Sequence, residues 1–128
     1  MATEILVNDG GAPCRIIPLV AASGGLSAGD ALTVNSSGEA AKSSNNAFHL
    51  SGVALTDATA GEMCNVVTGR GVVVMINCTA DNAAGQHLMT NEAVPGELIA
   101  HAGANDDTEV GIVLESPAAA GLTKVLLF

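Results

Sequence analysis

The chain has 128 residues, of which 48% are hydrophobic, and thirteen acids against four bases leave a net charge of −9. Nucleic acid and anionic membranes are both held by clustered Lys and Arg, and Arg15, Lys42, Arg70 and Lys124 are scattered, so neither is expected as a partner. One domain is expected, with a thin core of Val, Leu, Ile, Met and Ala, because Phe48 and Phe128 are the only aromatics; such a core favours burial against a second subunit.

In chain order, Met1-Ala2-Thr3-Glu4 opens on an acid and only three apolar residues follow, so no signal peptide is read. Residues 1–13 form an arm: Glu4-Ile5-Leu6-Val7 is a short strand, and Asn8-Asp9-Gly10-Gly11-Ala12-Pro13 a hinge. The β domain is expected over 14–128. Cys14–Val20 is a strand that Pro18 places at a sheet edge. The uncharged stretch from Ile16 to Gly29 is too short and too broken by Pro18 and Gly24-Gly25 to span a bilayer. Ala31–Val34 is a strand, Asn35-Ser36-Ser37-Gly38 a turn, and Glu39–Asn46 a polar connection. Phe48–Leu55 and Glu62–Thr68 are strands around the Thr56–Gly61 turn. Gly69-Arg70-Gly71 is expected to reverse the chain into Val72–Ile76 as a hairpin, with that apolar run a central strand covered on both faces.

Beyond it, Ala83–Thr90 fits a strand or a helical turn equally. Leu98–Ala100, Glu109–Glu115 and Leu122–Phe128 are strands. The phrase Ala-Gly followed by an apolar stretch recurs at Ala28-Gly29, Ala60-Gly61, Ala84-Gly85 and Ala120-Gly121, too unevenly spaced for a solenoid. Gly111-Ile112-Val113-Leu114, ending at Gly121, echoes Gly52-Val53-Ala54-Leu55, ending at Gly61. This echo argues for an all-β fold, a small single-domain β-barrel or β-sandwich.

Chemistry is sparse. Cys14, Cys64 and Cys78 cannot all pair and lie in or beside apolar runs, as buried free thiols of a reducing cytosol do. No signature of a Cys–His nucleophile surrounds them, and Ser23, Ser51 and Ser116 lack the Gly-x-Ser-x-Gly elbow. No catalytic residue is assigned. His87 and His101 lack zinc spacing, and Asp106-Asp107 with Glu109 lacks the calcium-loop pattern, so no metal is assigned. Gly69-Arg70-Gly71 and Gly24-Gly25 lack the context of phosphate- or dinucleotide-binding loops, and no cofactor is expected.

The segments Ala28-Gly29-Asp30-Ala31-Leu32, Ser51-Gly52-Val53-Ala54, Ala60-Gly61-Glu62, Gly71-Val72-Val73-Val74, Ala84-Gly85-Gln86 and Gly111-Ile112-Val113-Leu114 together resemble the capsid decoration, or cement, proteins of tailed phages. The likeness covers most of residues 14–128. It departs at Gln86-His87-Leu88-Met89, where that family tends to carry aromatics. The resemblance implies a β-clip or β-tulip-like fold with an extended N-terminal arm. It implies a non-enzymatic protein that is made in the host cytoplasm and binds the outer surface of an icosahedral bacteriophage head. There it would stabilise the virion by locking major capsid subunits together, as a homotrimer or homodimer, the role of lambdoid head decoration proteins.

Candidate partner-interface residues are Ile5, Leu6 and Val7, with Arg15 just past the hinge. The arm has two readings: a strand added to a capsid subunit or neighbouring protomer, or an edge strand folded back on its own sheet. Other classes compatible with the chain are a trimeric module of a phage fibre or baseplate, a small-ligand-binding β-barrel, and a nucleotide hydrolase on a small β fold.

Overall fold

The structure is a computed structural model and describes residues 5–8, 15–43, 50–79, 83–91, 93–101, 109–116 and 121–128. Every regular element among them is a strand: β1 Leu6–Asn8, β2 Arg15–Val20, β3 Ala31–Val34, β4 Ala40–Lys42, β5 Gly52–Ala54, β6 Met63–Thr68, β7 Val73–Cys78, β8 His87–Thr90, β9 Leu98–Ala100, β10 Gly111–Glu115 and β11 Gly121–Leu127. The expected all-β architecture is present. The polar stretch after the Gly38 turn contains a strand, β4, that its composition hides; its Ala40 is buried. Ala83–Thr90 resolves into a turn at Ala84-Gly85 followed by β8.

The strands form two sheets of the same design. One runs β2-β6-β5-β3-β4; the other runs β7-β11-β10-β8-β9, with β1 added outside β7. The second closes into a five-stranded barrel where Cys78 of β7 meets Leu98 of β9 in parallel. In the first, Ala21, just past β2, bridges Ala40 of β4, also in parallel. The turns agree bond for bond. Gly29 N–H donates to Ala54 C=O and Ala54 N–H to Asp30 C=O, while Gly85 N–H donates to Val113 C=O and Val113 N–H to Gln86 C=O. Ser43 N–H donates to Ala31 C=O as His101 N–H does to His87 C=O. Residues 15–68 and 73–127 are therefore two copies of one strand plan. The echo in the sequence is its β5–β6 and β10–β11 limb.

The expected hairpin across Gly69-Arg70-Gly71 does not form. Both edges of β6 are taken, by β2 and β5, while β7 pairs with β11 on one side and with β1 and β9 on the other. The glycines instead pass the chain from one repeat to the next, with Gly71 at φ +77° and its N–H bonded to Leu127 C=O.

Burial separates the repeats. Leu26, Leu32, Ala54, Cys64 and Val66 fill the inside of the first. Leu88, Val74, Ile76, Cys78, Val113 and Val125 fill the second, and Ala31, Val53 and Val67 of the first repeat join this cluster. Side chains alternate between faces along a strand. Leu32, Ala54 and Val66 thus point into the first repeat, while their neighbours Ala31, Val53 and Val67 are covered by the second.

Candidate interaction surfaces

The structure places the candidate interface residues on two different sheets. Leu6 pairs with Val74 and Asn8 with Val73, and Met75 N–H donates to Ile5 C=O at 2.7 Å. Residues 5–8 thus take the folded-back arrangement. Ile5 is 3% exposed inside the core, and Leu6 is partly buried against it. Val7, next along the strand where its register shifts, is 43% exposed. Arg15 lies on the other sheet, at the head of β2 opposite Thr68, and does not join them. The hinge at 9–14 lies outside the described residues.

A polar cluster that spacing alone does not reveal sits at the far end of the second repeat. Glu109, just before β10, stands between His87 at the start of β8 and His101 just after β9. His87 Nδ1 is 2.9 Å from one of its carboxylate oxygens and His101 Nδ1 is 3.9 Å from the other. These three line an open cleft of about 440 Å³ with Ala84, Gly85 and Gln86. His87 also meets the ring of Phe128 edge-on. The β8–β9 and β8–β10 pairings assemble this group, which is why it cannot be read until the strand order is known. Asp106 and Asp107 lie outside the described residues.

The arrangement offers little for covalent chemistry. Cys64 is buried in the first repeat and Cys78 in the second. Burial pushes the Cys78 thiol up to about 11, only partly offset by a hydrogen bond from Thr123, so it is not a thiolate at neutral pH. Among the described residues no group of three His, Cys, Asp or Glu side chains is placed to hold a metal ion.

The junction between the repeats is better built. Asp30, 5% exposed, accepts from Asn77 Nδ2 at 3.0 Å and from Ser27 N–H at 2.8 Å, and Lys42 approaches it at 3.8 Å. Asn77 N–H donates to Gly29 C=O, Ala31 N–H to Gly96 C=O and Gly96 N–H to Ser43 C=O. Leu122 lies directly on Gly29, where a Cβ would leave it no room. Outward-facing positions of the second repeat have no such cover. His87, Ile112 and Leu126, which hold the places of Ala31, Val53 and Val67, are half-buried, and Phe128 is 48% exposed.

Two copies of one β unit are thus joined across a junction of apolar and polar contacts, with apolar side chains left exposed on the sheets. Residues 13–127 match the phage cement protein family, and the chain belongs to that family: it is a structural, virion-associated phage protein. Among solved structures it is similar in fold to the N base of head fiber gp8.5 of bacteriophage phi29, with a TM-score of 0.71 at 17% identity, over 91% of this chain and 95% of that one. No curated protein sequence matches the chain.

Proposed function

We propose that the protein is a non-enzymatic cement that binds the outer surface of an icosahedral phage head and stabilises the contacts between major capsid subunits. Family membership over residues 13–127 carries the reading. The leftover apolar surface supports it: Val7, Ile16, Ile17, Val34 and Met63 are each at least 40% exposed. So does the avidity expected when many weak contacts share one fixed lattice. Purified protein mixed with undecorated expanded heads should give ordered outer-surface density and raise the temperature at which the heads release DNA. Heads that stay bare at saturating protein overturn the proposal.

A second reading follows from the likeness to a head-fibre base: the two repeats would seat a longer appendage on the head. The same images separate the two, since a cement gives a low knob and a base gives a projecting stalk.

A further inference from the structure

The chain carries one contact between its repeats and, elsewhere, the two unused halves of a second. Within the chain, Leu122 of β11 seats on Gly29, and the neighbouring Asn77 donates its N–H to Gly29 C=O. The counterpart of the Asn77–Leu122 pair is the Val20–Met63 pair, one residue before the parallel bridge in each repeat. Met63 is 61% exposed, the most exposed large apolar side chain among the described residues. The counterpart of Gly29 is Gly85, with φ +87° against +89°, and the space where its Cβ would stand is empty. So the first repeat holds a free knob, and the second a free socket.

Around the socket the same asymmetry repeats. Ala31, Val53 and Val67 have no exposure under the second repeat, whereas His87, Ile112 and Leu126 in the same places keep part of theirs. The Asn91–Glu97 turn of the second repeat reaches Ala31 N–H through Gly96 C=O. The matching turn of the first repeat, Asn35–Glu39, is shorter and lies free, with Gly38 at φ +78°. Gly38 N–H is held by Asn35 C=O.

We propose that successive copies of this chain dock head to tail, Met63 and Val20 of one copy seating on Gly85 beside the His87–His101 cleft of the next. The contact repeats between chains the one that joins the two repeats within each. Val20 N–H then meets Gly85 C=O, as Asn77 N–H meets Gly29 C=O within the chain. A second copy is the fitting occupant because knob and socket belong to the same chain and their counterparts already bind each other. The interface is heterologous, so it closes into a ring or runs on as a filament. It gives the self-association part of the cement reading its surfaces, but it is tested in free protein, so failure on heads and failure here are separate outcomes.

The test uses the full chain with Cys14 replaced by Ser, so that the remaining native thiols are the buried Cys64 and Cys78. Sedimentation should show association that grows with protein concentration and tightens in high salt, because each copy carries a charge of −9 and salt screens their repulsion. Met63→Asp should weaken association at least tenfold without lowering the melting temperature, since the side chain is exposed. A mixture of Met63→Cys and Ala84→Cys single variants should cross-link to a heterodimer faster than either alone. A chain that stays monomeric at millimolar concentration overturns the proposal. So does association indifferent to Met63→Asp, or cross-linking that favours Met63→Cys homodimers, which would mark a two-fold interface.

Discussion

Replacing Gly29 and Gly85 separately with alanine dissects the junction, because the two glycines hold the same backbone position in different surroundings. Each has φ near +90°, so each alanine incurs the left-handed penalty of about 1 kcal/mol or a little more. At Gly85 nothing else is met. At Gly29 the new methyl runs into Leu122 Cδ2, with Met75 C=O 3.6 Å away. Leu122 must leave its rotamer or the repeats must part, which adds about 1–3 kcal/mol of overpacking. Urea denaturation at low micromolar protein should therefore rank wild type above Gly85→Ala above Gly29→Ala, the second gap being at least as large as the first. In a thermal scan each kcal/mol should move the midpoint by about 4 °C. Leu122→Ala should then cost less in the Gly29→Ala background than in wild type, giving a coupling energy that a strain-only account lacks. Equal losses for the two glycine variants, or additive Leu122→Ala, would refute the claim that Gly29 is where the repeats touch.

Ile5→Ala should cost about 2–4 kcal/mol in chemical denaturation because its side chain is fully enclosed, whereas Val7→Ala should be near neutral. Deleting residues 2–9 should likewise lower stability, so loss of head binding by that truncation counts as an interface effect only if Val7→Lys in the full chain also loses binding. Gly71→Val should lose more than about 1 kcal/mol through backbone strain alone, since open space surrounds the site at φ +77°. For Cys78 the folded-state value of about 11 exceeds the ordinary 9, so the unfolded chain deprotonates first as pH rises. Stability should be whole below pH 9 and fall by about 2–3 kcal/mol between pH 9 and 11, and Cys78→Ala should flatten that slope. A thiol probe at pH 8 should react with Cys78 only after urea unfolding.

What the sequence carries of this fold is its local part. Apolar runs between glycine turns locate β2, β3, β6, β7, β10 and β11 well, and the Gly52–Gly61 and Gly111–Gly121 echo marks the most regular limb of the duplication. The rest of the duplication is silent because equivalent positions have diverged in chemistry while keeping their backbone bonds: Ala31 against His87, Ser43 against His101, Leu50 against Glu109. The hairpin across Gly69-Arg70-Gly71 fails for a related reason. Turn residues say that the chain reverses, but pairing depends on which strand edges are already filled. Arm and cleft were beyond local reading too. That Ile5 is enclosed follows from the free edge of β7 near Val73 and Val74, and the His87–Glu109–His101 group exists only once β8 lies between β9 and β10.

The divergence has a physical direction. Where the first repeat is covered, Ala31, Val53 and Val67 are small or purely apolar, and buried Asp30 is held within the repeat by Ser27 and across the junction by Asn77. Where the second repeat is open, Ile112 and Leu126 stay apolar and half-buried, while an imidazole, His87, takes the place of Ala31 and keeps nearly half its side chain in water. Backbone geometry is unchanged between them, down to the φ of Gly29 and Gly85. On the proposed head-to-tail contact, a face that keeps the backbone shape of the junction but carries His87 in place of Ala31 would bind more weakly than the junction itself. Weak and repeated contact is what a lattice of fixed neighbours multiplies into a stable shell. On the proposed cement role, a face that bound tightly in solution would instead assemble before the head was there to receive it.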